Sequence, residues 1–203
     1  MDRAAVTQGI NIKYNGRMNV LIFNGTMDSS PYTTANKLTG YFEEQFRHKG
    51  FNTEVFSPAG GHIPFFEYPQ GEIPKAVQEM CDAFLKADVH VWLTPLYHGS
   101  MTGVMKNTLD WLEMTSKLSH PYLTGKVVAL VCWGDGSQAM QGINAMDSVA
   151  KALRAWVLPF SVPIMKEHLY DSVTKDFAVS YRHKFDMVIS LLGDARMVRS
   201  AQH

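Results

Sequence analysis

The stretch DVHVWLTPLYHGSMTGVMKNTLDW, residues 88–111, predicts a strand, a loop and a helix in direct succession. Its first part is an apolar run that ends at Pro95, and proline is tolerated at the end of a strand. Such a run is typical of a strand buried on both faces of a sheet. After the loop LYHGSM, apolar side chains recur at helical spacing, which predicts a helix over residues 102–117.

The alternation of strand and helix continues on both sides of this stretch. Apolar runs predict further strands over residues 18–24, 52–57, 126–134 and 159–165. Helical periodicity predicts helices over about 33–50, 73–87, 137–156 and 177–197, with Ser137 as the cap of the helix that follows it. Apolar strands separated by helices indicate a parallel sheet covered on both faces. We therefore predict one doubly wound α/β domain with five strands.

Composition and charge exclude several classes of protein. Of the 203 residues, 46% are apolar and 19% are charged, which indicates a folded chain with a sizeable core. Lys plus Arg and Asp plus Glu each total 19, and no block of like charges occurs, so we expect no nucleic-acid partner. The longest apolar run, residues 127–133, is far shorter than the roughly twenty residues of a membrane-spanning helix, so no membrane association is expected.

The N-terminal region and the cysteines add two expectations. No apolar stretch of a signal peptide precedes Met18, so we expect a cytoplasmic protein. Residues 1–17 are predicted to be an N-terminal extension, and residues 18–203 the domain. Cys81 and Cys132 share no metal-binding or redox motif, and no paired-histidine spacing occurs, so no metal site is predicted.

Ligands of doubly wound sheets bind beyond the carboxyl ends of the strands, where the strand order reverses. The loops to consider are therefore 25–34, 58–72, 95–102 and 134–142. The first is rich in hydroxyl side chains and leads into a helix N-terminus, where backbone N–H groups and the helix dipole favour an anion. A phosphate site is one interpretation, and ordinary turn and cap chemistry is the other.

The loop after the third predicted strand has a composition suited to a flat ring. Pro95, Tyr97 and Gly99 can wrap such a ring, because glycine lets the backbone approach closely. The alternative is a plain turn into the next helix, capped by Thr102.

The two remaining loops also allow two interpretations each. Gly134, Gly136 and Ala139 match a G-x-G-x-x-A pattern, but they do not follow the first strand, so close approach of their backbone to a ring is favoured over a dinucleotide fingerprint. The aromatic cluster of loop 58–72, Phe65 to Tyr68, predicts either packing of a lid or an apolar wall over a ring.

The stretch quoted above also resembles a known signature. Members of the NADPH-dependent FMN reductase family, flavodoxin-like NAD(P)H-dependent flavin and quinone reductases, carry a Pro-x-Tyr-x-Gly-Ser loop and then a helix with Lys-Asn and Asp-Trp pairs. The matching residues here are Pro95, Tyr97, Gly99, Ser100, Lys106, Asn107, Asp110 and Trp111. The sequence departs from the family at Asp28, where members often have Arg, and at His98, where they often have Asn.

The resemblance implies a flavodoxin-like three-layer sandwich with a five-stranded parallel sheet. It implies an FMN-dependent oxidoreductase that passes electrons from NADPH or NADH through bound FMN to a small acceptor such as a flavin or quinone. The chemistry belongs to the cofactor, so no side chain is predicted to be catalytic. A homodimer or homotetramer is expected.

The expected cofactor-binding residues fall into three groups along the chain. The phosphate group is Thr26, Asp28, Ser30, Tyr32 and Thr33; the ring loop is Pro95, Leu96, Tyr97, His98, Gly99 and Ser100; the other ring edge is Trp133, Gly134, Asp135 and Gly136.

Two alternatives remain open from the sequence. One is a flavodoxin-like electron carrier without a nicotinamide site, which zero net charge disfavours, since such carriers are usually acidic. The other is a cofactor-free flavodoxin-like binding module, which Asp28 favours, because an acidic side chain there repels a phosphate.

Overall fold

A computed structural model of the chain describes residues 17–68 and 72–195, so all but the last residue of the predicted N-terminal extension lies outside the described residues. The strands are β1 (Asn19–Asn24), β2 (Asn52–Phe56), β3 (Val89–Pro95), β4 (Val127–Gly134), β5 (Trp156–Val157) and β6 (Val162–Met165). The helices are α1 (Thr34–His48), α2 (Lys75–Lys86), α3 (Gly103–Asp110), α4 (Ala139–Ala152) and α5 (Val179–Asp194).

All the strand pairs are parallel, and the spatial order is β2-β1-β3-β4-β5, with β6 also paired to β4. This is the flavodoxin-like order, in which the chain reverses direction across the sheet between β1 and β3. The predicted fold class is therefore confirmed. The reversal opens a crevice at the carboxyl ends of these strands, where Asn24 is in register with Leu93, and Pro95 with Trp133.

Side chains alternate between two apolar cores, one on each face of the sheet. From β1, Val20 and Ile22 pack toward α1 and α5, whereas Leu21 and Phe23 pack toward α2, α3 and α4. Helices covering both faces make the sheet the middle layer of three, as predicted. The buried Trp92 of β3 lies on the second face.

The fifth strand position differs from the prediction, because two short strands fill it in succession. Val127 is in register with Trp156 of β5, and Gly134 with Met165 of β6. The predicted helix over 137–156 is too long, since Arg154 takes a left-handed φ of 66° that ends the helix. Ser137 is not its cap; Gln138 holds that position without a side-chain capping bond.

The predicted helix over 102–117 is also shorter than expected. Its start is correct, because the Thr102 hydroxyl accepts the N–H of Met105 at 3.1 Å. After α3 the chain tightens into a 3₁₀ turn over Trp111–Thr115. The Thr115 hydroxyl donates to Leu112 O at 2.7 Å and accepts the N–H of Tyr122 at 2.9 Å, which turns the chain away from the helix axis.

Within residues 17–68 and 72–195, no helix combines the length and hydropathy needed to cross a membrane. The same residues contain no group of three or more His, Cys, Asp or Glu side chains placed to hold a metal ion.

Candidate functional site

Three of the four loops singled out in the sequence meet in one pocket of about 230 Å³ at the carboxyl edge of the sheet. The loops after β1, β3 and β4 contribute most of its walls, and the residue that follows β6 contributes the rest. The lining residues are Asp28, Thr33, Thr34, Ala35, Pro95, Leu96, Tyr97, Trp133, Gly134, Asp135 and Lys166.

The loop after β1 is organised by Asn36, a residue of α1. Its Nδ2 donates to the carbonyl oxygen of Ser30 at 2.7 Å and to that of Asp28 at 3.2 Å. Its Oδ1 accepts Nδ2 of Asn24 at 2.9 Å. One amide thus ties the loop to the end of β1, and neither asparagine was identified from the sequence. The sequence did contain one signal for Asn36: it lies three residues after the capping Thr33, and its side-chain amide can both donate and accept hydrogen bonds.

Of the five residues predicted to bind the phosphate, two line the pocket and three do not. Asp28 and Thr33 line the pocket, and Thr33 caps α1 by accepting the N–H of Asn36 at 3.2 Å. Thr26 is buried, and its hydroxyl donates inward to Asn24 Oδ1 at 2.8 Å. Ser30 and Tyr32 are exposed and lie outside the lining, so the pocket wall is formed by the helix end rather than by the whole loop.

The donors at this wall suit an anion such as a phosphate. Thr34 and Ala35 open α1, and the first N–H groups of a helix have no acceptor within it. The helix dipole adds a partial positive charge at the same place. The Thr34 hydroxyl and the ammonium of Lys166 line the same pocket, whereas the Thr33 hydroxyl donates to Ser30 O at 3.2 Å. The donor set therefore fits the phosphate group of FMN, although Asp28 opposes it.

The ring loop is a tight turn built around two left-handed residues. Tyr97 and Ser100 exchange backbone hydrogen bonds of 3.0 Å in both directions. Between them, His98 has φ of 48° and Gly99 φ of 80°, the pattern of a type I′ turn. Pro95, Leu96 and Tyr97 line the pocket, whereas His98, Gly99 and Ser100 lie in the turn beyond it.

The loop after β4 packs directly against the ring loop. The N–H of Leu96 donates to Trp133 O at 2.7 Å, and a Cβ at Gly134 would lie 3.4 Å from the Leu96 side chain. Trp133, Gly134 and Asp135 line the pocket, and Gly136 lies outside it. The Asp135 carboxylate is mostly exposed and forms a 2.9 Å ion pair with Lys166, a residue that sequence reasoning did not identify.

The fourth loop borders a second, larger pocket of about 700 Å³. Its lining is mostly apolar: Met27, Pro58, Ala59, Gly61, His62, Ile63, Pro64, Phe65, Gly103, Val104 and Asn107. The predicted aromatic cluster divides in two here. Phe65 is 91% exposed, whereas Phe66 packs edge-on against Trp111 with ring centroids 5.2 Å apart.

Two signature residues of the helix segment hold this loop in place. Asn107 Oδ1 accepts the N–H of Phe66 at 2.7 Å, and its Nδ2 donates to Pro64 O at 2.9 Å. The Trp111 indole donates to the same carbonyl oxygen. The other two signature residues, Lys106 and Asp110, form an ion pair on the helix surface.

The two buried thiols, Cys81 and Cys132, and the buried imidazole of His90 lie outside both pockets. Burial raises the pKa of the Cys81 thiol to about 11 and that of Cys132 to about 12, so neither is a ready nucleophile. Burial lowers the pKa of His90, on β3, to about 3, and Lys126 adds to the effect.

Comparison with known proteins identifies similar sequences and similar folds. A family model described as NADPH-dependent FMN reductase matches residues 18–168. The NADPH-dependent FMN reductase ArsH of Acidithiobacillus ferrooxidans is 31% identical over 150 residues, which cover 74% of this chain and 61% of that protein. The FMN-dependent NADPH-azoreductase of Staphylococcus aureus is 25% identical over 150 residues, which cover 71% of this chain and 76% of the relative. The match thus spans about three fifths of the length of the ArsH relative.

Among solved structures, the flavoenzyme NAD(P)H:(acceptor) oxidoreductase FerB of Paracoccus denitrificans superposes with a TM-score of 0.70. The alignment covers 89% of this chain and 98% of that one at 15% identity. At this identity the likeness shows the fold alone.

Proposed function

The chain belongs to the NADPH-dependent FMN reductase family, and from this membership we propose that it binds FMN and passes electrons from NADPH or NADH to a small acceptor. The observation that carries the proposal is the 230 Å³ pocket, in which the N-terminus of α1, the ring loop and the loop after β4 come together. Bound FMN would supply the acceptance of hydride and the transfer of electrons, while the protein supplies binding and orientation.

The residues of the pocket have distinct binding roles in this proposal. The first N–H groups of α1 and the Thr34 hydroxyl hold the phosphate, and Thr33 positions them as the cap of the helix. Pro95, Leu96 and Tyr97 form one side of the ring site, and Trp133 and Gly134 form the other. The turn at His98 and Gly99 orients the ring loop that forms the first of these sides. We assign no side chain the role of acid or base.

The larger apolar pocket is proposed to admit the acceptor. Its wall from Pro58 to Phe65 offers mostly apolar side chains, which suit a small, flat and largely uncharged molecule. Met27 lines this pocket and the next residue, Asp28, lines the cofactor pocket, so the two pockets adjoin at these consecutive residues. The azoreductase relative is named for the reduction of azo compounds.

Location and assembly are proposed on the same basis. We place the FMN-binding domain at residues 18–203, in the cytoplasm, as a homodimer or homotetramer. Exposed apolar side chains around the two pockets support the assembly, since Phe65, Tyr97 and Met27 are each at least 60% exposed.

The test is a visible absorbance spectrum of the purified protein, recorded before and after anaerobic addition of NADPH, and in parallel of NADH. A yellow protein that either nucleotide bleaches supports the proposal. A yellow protein that neither bleaches overturns it in favour of an electron carrier. A colourless protein that takes up no added FMN overturns it in favour of a cofactor-free module.

A further inference from the structure

Lys166 is a positively charged residue that lines the cofactor pocket. It follows directly after β6, at the edge position of the sheet, and lines the pocket together with Thr33 and Thr34 of the α1 N-terminus. Its Nζ lies 2.9 Å from Asp135 Oδ1. The lysine side chain is 44% exposed and the aspartate 91%, so the pair is held loosely and the ammonium is free to turn into the pocket.

The charges of the pocket are unbalanced for an anion. Its lining contains two carboxylates, Asp28 and Asp135, and of the described residues that form it Lys166 alone is cationic. These three side chains together carry one net negative charge, so a phosphate bound at the start of α1 is repelled unless Lys166 turns toward it and offsets the repulsion locally. The loop after β1, residues 25–33, contributes Asp28 to this lining and contains no Lys or Arg, so it does not supply a cation.

We propose that Lys166 supplies the positive charge that neutralises the FMN phosphate, and that Asp135 holds its ammonium at the pocket until the phosphate is bound. This inference rests on the proposed function. It assigns the positive charge to the residue after β6, whereas the phosphate loop follows β1. Lysine suits the role, because its ammonium is a compact charge on a flexible stem that exchanges one oxygen partner for another.

In this proposal the Asp135 carboxylate and the FMN phosphate compete for the Lys166 ammonium. A carboxylate and a phosphate are both strong acceptors of an ammonium hydrogen bond, and the phosphate carries the larger charge. Loss of Lys166 removes an interaction made with the phosphate and not with the ring. Loss of the Asp135 charge removes the competitor and leaves the ammonium to the phosphate.

The experiment compares FMN with riboflavin, which has the same ring and no phosphate. Both are titrated into flavin-free protein by calorimetry, using wild type, Lys166→Met, Lys166→Arg and Asp135→Asn. The matched control is Lys151→Met, which breaks a similar 2.8 Å ion pair with Asp147 on α4, away from the pocket. Circular dichroism checks that each variant is folded.

We expect Lys166→Met to weaken FMN binding about tenfold and to leave riboflavin binding within about twofold. Lys166→Arg should restore most of the preference for FMN, Asp135→Asn should strengthen FMN binding, and Lys151→Met should match wild type. The FMN affinity of Lys166→Met should also depend less on salt concentration.

Three results would overturn the assignment. These are an unchanged FMN affinity in Lys166→Met, an equal loss for FMN and riboflavin, which would place Lys166 at the ring, and an effect of Lys151→Met as large as that of Lys166→Met. If wild type itself binds neither flavin, it is the proposed function that fails.

Discussion

The indole Nε1–H of Trp111 donates a 2.8 Å hydrogen bond to the carbonyl oxygen of Pro64 and so joins the end of α3 to the long loop after β2. Asn107 Nδ2 donates to the same oxygen at 2.9 Å. One carbonyl thus accepts from two signature side chains four residues apart, the spacing that places both on one face of a helix. The wall of the larger pocket is held to α3 by these bonds.

Trp111→Phe should loosen this wall without emptying the core. The variant keeps an aromatic ring against Phe66 but loses the indole hydrogen bond and part of a buried side chain, so we expect the free energy of unfolding to fall by about 2 kcal/mol. Amide hydrogen exchange over residues 63–67 should become faster. If the pocket admits the acceptor, KM for the acceptor should rise more than kcat falls.

The control for this substitution is Trp156→Phe. Trp156 lies on the short strand β5 and is 61% exposed, so its replacement should leave exchange over residues 63–67 as in wild type. Equal exchange in Trp111→Phe and wild type would show that the indole bond does not hold the loop.

Gly99→Val should abolish flavin binding while the protein stays folded. Gly99 has φ of 80°, which a β-branched residue adopts only with strain, and an added Cβ would lie 3.0 Å from Gln141 Oε1. The Tyr97–Ser100 turn should therefore rearrange and displace the ring loop. The measurement is the flavin-to-protein ratio after reconstitution, together with Tm.

Gly40→Val provides the comparison, because a Cβ at this exposed position of α1 meets nothing within 4 Å. It should retain the flavin content of wild type. A wild-type flavin content in Gly99→Val would disprove the role of the turn in shaping the ring site.

The sequence was most informative where apolar runs are long. Strand β4 is fully buried and was located to within one residue, and the flavodoxin-like strand order agrees with the resemblance carried by residues 95–111. The fifth strand position was harder, because the left-handed turn at Arg154 has no apolar signal and the two residues of β5 are too few to show periodicity.

The candidate site, too, could be predicted only in part from the sequence. The loops that form the pocket were found, because they follow the strands at one edge of a parallel sheet. Lys166 and Asn36 were missed, since their importance depends on partners brought close only by folding: Asp135 for the lysine, and Asn24 for the amide. The sequence predicted that the Thr26 hydroxyl binds the phosphate, whereas in the structure this hydroxyl donates a hydrogen bond to Asn24 Oδ1.

Asp28→Asn and Asp28→Arg should both tighten FMN binding, the second more than the first. The Asp28 side chain is exposed and lines the cofactor pocket, so its carboxylate repels a bound phosphate. The hydrogen bond from Asn36 Nδ2 to the main-chain oxygen of Asp28 does not depend on this side chain. We expect about a threefold gain for the neutral variant, a modest effect that reflects solvent screening.

The dissociation constants of FMN and riboflavin measure this effect, with the exposed Asp82→Asn on α2 as the control for a change in net charge. An unchanged or weaker FMN affinity in both Asp28 variants would show that the carboxylate does not face the phosphate.

His90 should make the folded state sensitive to acid. The ring is fully buried beside Phe84, and neither nitrogen makes a hydrogen bond of normal geometry within the described residues. Burial, aided by the charge of Lys126, lowers its pKa from 6.5 to about 3, and the backbone of Phe84 offsets this only in part. The unfolded chain therefore binds a proton between these pH values that the folded chain does not.

The contribution of neutral His90 is complete above pH 6.5 and is lost as the pH falls from 6.5 toward 3, by about 2 kcal/mol between pH 7 and pH 5. Urea unfolding at both pH values should show this decrease in wild type. His90→Leu should show a smaller decrease, because the only group removed is the buried imidazole, whereas the exposed His183→Leu should behave as wild type does. Equal decreases in wild type and in His90→Leu would mean that other groups cause the acid sensitivity.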